Sequence, residues 1–467
     1  MKQYHLFRGG AMRYRVLTVL PKQEPLVESA KAFREGRSPT IPLRAARIPS
    51  GMEIDESAPA LPMGSADLAS MSMESMQADT SDQFVVQGFV EAQRPEDVPE
   101  SSDGRVLFAD PQIASFQNSR LIAGFASTCG NSPALGHDKA VKSLLNVSAL
   151  AAKHLDGLGV AIAIMDSGIN LAHLTAKLGP GVRLDAQNSW TPQGGLVPPG
   201  RYPVNHGTMC AFDALIAAPN ATLLDYPILG VRAPGGSQMS GSIGVALIAF
   251  SHLMANWAVA FAPGGASKYK ALVVNNSWGM YHPSWDLPTG HPGRYCDNPN
   301  HPFNLIVGVL ARSADILFAA GNCGDECADM RCNSRTVGTI MGANAHADVL
   351  TVAGCDTANL RVGYSSQGPS ISGMPQQKPD ITTYTHFTGS EAFGIGSPDS
   401  GTSAACPVAA GCVAALRTRL NPATTPSSNL FAQLRANATP AGGTPGWNGD
   451  YGFGILDPVA TAAALGL

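Results

Sequence analysis

Short, largely apolar runs recurring between helical stretches constrain this chain most. Leu272-Val273-Val274-Asn275, Ile316-Leu317-Phe318-Ala319 and Val349-Leu350-Thr351-Val352-Ala353 are the clearest, and Val160-Ala161-Ile162-Ala163-Ile164-Met165 is another. Such runs read as buried strands, and their alternation with helical stretches points to a mostly parallel sheet with helices on both faces. A chain of 467 residues, 44% hydrophobic, with 50 glycines and 35 prolines, can bury a sizeable core and make many turns. In open α/β sheets, functional residues collect at strand ends and helix starts.

Three such places carry candidate chemistry. Gly401-Thr402-Ser403-Ala404-Ala405-Cys406-Pro407 sets a serine behind a tight glycine turn and ahead of an alanine-rich helical run. A serine hydroxyl is a poor nucleophile at neutral pH, so it needs a histidine to take its proton and an acid to orient that histidine. The run Val160 to Met165 leads into Asp166-Ser167-Gly168, and Asn205-His206-Gly207-Thr208 reads as a turn entering a helix. Each motif alone has an ordinary reading as a turn or a loop histidine. Together they stand in the order Asp, His, Ser, and the 40 residues from Asp166 to His206 leave room for a β-α connection.

That order, with these motifs, resembles the subtilisin-like serine proteases, the subtilases (peptidase family S8). The resemblance runs over roughly residues 135 to 467. It includes Leu317-Phe318-Ala319-Ala320-Gly321-Asn322, Asn276-Ser277-Trp278-Gly279, Tyr364 to Pro369, Lys378-Pro379-Asp380-Ile381 and Tyr451 to Asp457. It implies a serine-type endopeptidase with Asp166, His206 and Ser403 as the triad. Asn322 and the Ser403 backbone N–H would form the oxyanion hole. Ser277, Trp278 and Gly279 would bind an extended substrate as an added strand, and Ala319, Ala320 and Gly321 would line a roomy primary pocket. Trp278 either narrows a neighbouring subsite or packs inward. Cys406 and Val408 depart from the family pattern and read as helix packing behind the site. Catalysis in this family requires no cofactor; structural calcium is frequent in it, but no site is assignable here. A catalytically silent subtilase-like binding protein and a protease dedicated to one substrate are the alternatives.

A formal net charge of −4 gives no basic footprint, so nucleic acid and membrane are not expected partners; a protein or peptide substrate is. The apolar stretches Ile243 to Phe250 and Ala404 to Leu416 are too short, or too core-like, to span a bilayer. Met1 to Pro25 lacks the apolar stretch of a secretory signal, making the cytoplasm the default expectation, with another export route left open. Of nine cysteines, Cys210, Cys355, Cys406 and Cys412 sit in apolar runs and read as reduced core residues. Cys323, Cys327 and Cys332 lie in a polar loop directly after Asn322. With Cys296 they would form one or two disulfides, stay free thiols or bind a metal, though the spacing fits no common zinc signature.

Residues 1 to 48 hold ten Lys or Arg against three Asp or Glu, whereas residues 51 to 103 hold twelve acidic residues and only Arg94 as a base. Met52, Met63, Met71, Met73 and Met76 lie in a Ser-, Asp- and Ala-rich stretch without clear period, read as a flexible insertion over about 50–82. Around it, Arg13 to Leu20, Phe84 to Val90 and Val106 to Ala109 are strand candidates and Leu26 to Glu35 a helix candidate. The expected organisation is a small α/β N-terminal domain over 1–115, a linker and candidate processing segment over 116–136, and a catalytic domain over 137–467. By position, the N-terminal domain resembles the family's propeptide, which would act as an intramolecular inhibitor in a zymogen; a permanent accessory domain is the other reading. The exposed tether expected over Gln112 to Gly136 includes Asn118-Ser119-Arg120 and Cys129 to Pro133.

Overall fold

The computed structural model describes residues 12–65, 71–117, 129, 132–192, 195–231 (without the side chain of 231), 239–260 (without the side chains of 258–260), 268–443 and 445–467. Most of the tether, including Asn118-Ser119-Arg120, lies outside the described residues. The chain forms two compact units, one from 1–112, 242–266 and 283–310, the other from 113–241, 267–282 and 311–467.

The first unit is built on an antiparallel sheet. Its strands are β1 (Met12–Pro21), β2 (Met52–Ile54), β3 (Leu61–Gly64), β4 (Gln83–Ala92), β5 (Ser101–Ser102) and β6 (Arg105–Ala109), in the order β2-β4-β1-β6-β5, with β3 also on β4. β1 and β4 pair over ten residues, from Met12 opposite Ala92 to Pro21 opposite Gln83. The helix Glu24–Arg34 buries Leu26, Val27 and Ala30 in one apolar cluster with Leu20, Phe84, Val86, Val90 and Leu107. The N-terminal strand and helix candidates thus form where the sequence places them.

The stretch expected to be flexible is different. β2 and β3 both pair with β4, and Met52, Met63, Met71 and Met76 are buried. Methionine fills irregular gaps without imposing a period, which is why the pattern resembles a flexible insertion. Its acidic residues face the basic ones: Glu53 pairs with Arg13 at 2.6 Å, Glu56 with Arg44 at 2.7 Å and Asp79 with Lys31 at 2.8 Å. The charge asymmetry is therefore complementary within one unit.

The second unit contains β7 (Gln112–Ser115), β8 (Val160–Asp166), β9 (Arg183–Leu184), β10 (Thr222–Pro227), β11 (Gly230–Val231), β12 (Met239–Ser242), β13 (Ala271–Asn276), β14 (Trp278–Gly279), β15 (Asp315–Ala319), β16 (Leu350–Cys355) and β17 (Ile381–Tyr384). Seven form a sheet in the order β17-β16-β15-β13-β8-β10-β9, with parallel neighbours throughout. Every residue of β8, β13, β15, β16 and β17 is buried, as strands covered on both faces require. The fold is α/β, a mostly parallel sheet with helices. From β8 the chain goes to β10 on one side and returns to β13 on the other, so β8 sits at the reversal of strand order. Crevices at the carboxyl ends of strands form at such a point.

A second sheet runs β11-β12-β7-β14. Two disulfides, Cys323–Cys332 and Cys129–Cys327, stiffen the region after β15. Cys129 is a partner not anticipated from sequence, and Cys296, grouped there with the loop cysteines, is a buried free thiol. Cys210, Cys355, Cys406 and Cys412 are also buried and free. Among the described residues no helix is long and apolar enough to cross a membrane.

Candidate active site

Asp166 ends β8, where the central strand delivers it to the crevice. One carboxylate oxygen accepts the Ser167 N–H at 2.7 Å, and the two oxygens lie 2.8 and 2.9 Å from His206 Nδ1. His206 opens the helix His206–Ala214, whose N-cap Asn205 accepts the His206 N–H at 2.8 Å. Both side chains are fully buried. The chain turns sharply between them. Gly168 has φ +93°, and a Cβ there would lie 2.2 Å from the Tyr202 ring, so only glycine fits.

Ser403 lies in the first turn of the helix Thr402–Arg417, all of whose residues are buried. Gly401 precedes it at φ +81°. Ser403 Oγ donates to the Ser277 carbonyl at 2.9 Å, and Ser277 Oγ donates back to the Ser403 carbonyl at 3.0 Å. Among the described residues His206 Nε2 is buried without a hydrogen-bond partner. Cys210, one turn beyond His206, sets its thiol 3.6 Å from Asp166 Oδ2 and 3.5 Å from the Ser403 carbonyl. Burial, then the Asp166 charge, push this thiol well above its usual pKa, so it stays a neutral filler.

Asn322 follows β15. The Thr402 N–H and hydroxyl donate to its Oδ1 at 2.9 and 3.1 Å, and a backbone N–H can only donate, so Nδ2 must face the other way. There it meets the Phe116 carbonyl oxygen at 2.5 Å. Phe116 is the residue after β7, which lies between β12 and β14. Ala114 is opposite Gly279 and Ser115 opposite Trp278, antiparallel, and the Phe116 N–H donates to the Ser277 carbonyl at 3.1 Å. The chain's own segment thus lies on the expected substrate strand. The Phe116 ring is 2% exposed; a Cβ on Gly279 would lie 2.6 Å from its Cζ, and one on Gly321 3.5 Å. Tyr281 meets this ring edge-on at 5.0 Å. Asn344 Nδ2 ties the two pocket walls, donating to the carbonyls of Trp278 at 2.8 Å and Ala319 at 2.9 Å.

Of the ten residues singled out from sequence, Asp166 meets His206, Ser403 meets Ser277, Asn322, Gly279 and Gly321 lie around Phe116, and Trp278 and Ala319 are joined through Asn344, with Ala320 between Ala319 and Gly321. Trp278 resolves to the inward reading: it is fully buried, edge-on to Phe318 at 5.3 Å. Cys406 and Val408 are buried in the helix behind the serine. The sequence did not point to Phe116, to β12 on the other side of β7, or to Asn344. The signal for Phe116 was a lone aromatic closing Ile113-Ala114-Ser115-Phe116; β12 and Asn344 left none.

The model of the subtilase family matches residues 157–454, a span holding all ten of these residues. The chain belongs to the subtilase family. Two curated relatives, the calcium-dependent proteases of Nostoc sp. and Trichormus variabilis, are 31% and 30% identical over 317 residues, covering 61% of this chain and 42% of each relative. The chain thus spans about two-fifths of the length of these relatives. Among solved structures, a lanthipeptide protease aligns at TM-score 0.47 and 18% identity over 71% of this chain and 99% of its own. MycP1 with its N-terminal propeptide removed aligns at 0.45 and 21% over 69% and 96%.

The relatives' calcium calls for a test of fit in this subtilase. Among the described residues one cluster of potential metal ligands occurs, Asp166, His206 and Cys210, with ligand atoms within 4.8 Å of one another. Calcium takes six to eight oxygen ligands. An imidazole already bonded to the carboxylate and a thiol kept neutral do not fit it.

Proposed function

We propose that this subtilase is a serine endopeptidase made as a zymogen, with its own segment Ile113–Phe116 in the substrate cleft. The observation that carries this reading is the Phe116 carbonyl oxygen 2.5 Å from Asn322 Nδ2, at the end of a strand paired with β14. A peptide carbonyl aimed at a side-chain amide beside a serine is the arrangement that acyl transfer needs.

In the proposed reaction Ser403 turns about χ1 from the Ser277 carbonyl toward the unpaired His206 Nε2, which takes its proton. Oγ then attacks the substrate carbonyl carbon. The oxyanion is held by Asn322 Nδ2 and the Ser403 backbone N–H, the latter favoured by the helix N-terminus. Asp166 fixes the Nδ1–H tautomer and stabilises the imidazolium. His206 gives its proton to the departing amine, and water then releases the acyl group by the same path in reverse. No step passes through calcium.

Casein hydrolysis tests the reading. Ser403→Ala should abolish turnover, and Asn322→Ala should lower kcat by about 10²–10³, the usual cost of losing one oxyanion donor. Undiminished turnover in Ser403→Ala would overturn it.

A further inference from the structure

The loop that follows Asn322 is closed on itself by Cys323–Cys332, and it carries Asp329 and Arg331. The Asp329 N–H donates to the Asn322 carbonyl at 2.9 Å, so the loop starts and folds back at the oxyanion residue. Arg331 Nε donates to Asp329 Oδ1 at 2.9 Å and Nη2 to Oδ2 at 3.0 Å, a two-point pairing that fixes the guanidinium plane. The Arg331 guanidinium lies 3.9 Å over the Tyr281 ring. Its remaining donors reach the chain in the cleft. Nη1 donates to the Ser115 carbonyl at 3.2 Å and Nη2 to the Gln117 carbonyl at 2.6 Å. The Tyr281 hydroxyl, which burial keeps protonated, donates to the same Ser115 carbonyl at 2.9 Å.

Three consecutive carbonyls are therefore held, that of Phe116 by Asn322 and those on either side by Arg331. We infer that Phe116–Gln117 is the bond this enzyme cuts in its own chain, and that Arg331 is a positioning residue gripping the main chain on both sides of it. The inference rests on the serine endopeptidase reading and deepens it. Ser403 Oγ would bond to the Phe116 carbonyl carbon, the C–N bond to Gln117 would break, and His206 would protonate the Gln117 amine. Water would then free the Phe116 carboxylate. The grip touches only main chain, so it would serve any peptide that continues past the cut. Selectivity comes from the pocket between Gly279 and Gly321, which here holds an aromatic ring. A planar guanidinium with several fixed donors can span two carbonyls; an ammonium cannot reproduce that fork.

The test has two parts. Full-length wild type and Ser403→Ala are incubated, and the fragments are weighed and sequenced from their amino ends. A new terminus at Gln117 in the wild type alone is expected. A Ser403-dependent cut at another bond overturns the site assignment and leaves the protease reading standing, as does casein turnover without self-cleavage. Neither cleavage nor turnover overturns both. Arg331→Ala and Arg331→Lys are then compared on a quenched peptide spanning residues 113–118 and on the p-nitroanilide of residues 113–116, which has no Gln117 carbonyl. Arg331→Ala should lose about tenfold or more in kcat/KM on the peptide and clearly less on the anilide, with Arg331→Lys recovering only part. Equal losses on both substrates would mark Arg331 as merely structural and overturn the grip.

Discussion

Gly279 shows how much of the site is decided by a single missing side chain. A Cβ there would press to 2.6 Å from Phe116 Cζ and to 2.8 Å from Asn344 Oδ1, the residue that ties the pocket walls. Overpacking of that size costs about 1–3 kcal/mol, or roughly tenfold or more in binding. Gly279→Ala should therefore lower kcat/KM for a phenylalanyl anilide about tenfold more than for the alanyl one. Equal losses for both would show that the pocket does not discriminate through this wall. Gly401 is constrained more strongly still, since a Cβ there would lie 1.9 Å from the Phe116 carbonyl oxygen. Residues that speak through local motif, Asp166, His206, Ser403 and Asn322, were legible in the sequence. Arg331 was not, because its role depends on a disulfide and an ion pair that fold a polar loop back over Asn322.

Elements that bury both faces announced themselves, and those that borrow a partner did not. β8, β13, β15 and β16 are largely apolar runs, and the bounds their sequence predicts lie within a residue or two of the observed ones. β2, β3 and β7 are short strands whose pairing comes from β4 and β14, so nothing in their own sequence required a sheet. Between the helix His206–Ala214 and the start of the serine helix lies a buried acidic pair that sequence gave no reason to connect. Burial pushes the Asp399 carboxyl up to about 7, with the charges of Asp138 and Glu391 adding to it against the hydrogen bonds from Ser390. Burial, then Asp399, push Asp213 well above the usual carboxylate range. Both folded pKa values are raised above the unfolded value near 4, so the folded state holds protons that the unfolded state releases. The associated stability is full below about pH 4 and is lost as pH rises toward 7. Asp399→Asn should accordingly flatten the fall in Tm between pH 4.5 and 7.5 relative to wild type; parallel curves would contradict the pair's role.

At the scale of the whole molecule, the second unit holds Ser403, His206, Asn322 and the segment Ile113–Phe116, which the proposed reaction uses as nucleophile, base, oxyanion amide and substrate strand. Its two disulfides are of a kind that forms and persists in oxidising compartments. We propose that the enzyme works where such bridges persist. The acidic, methionine-rich stretch expected to be a flexible insertion is part of the first unit's sheet, and the first unit carries an apolar core of its own. The most direct measurement is the intact mass of purified full-length protein followed over time beside Ser403→Ala. The account predicts that the wild type alone loses residues 1–116 and that its casein activity rises as it does so. Both proteins remaining whole, or both being cut alike, would contradict it.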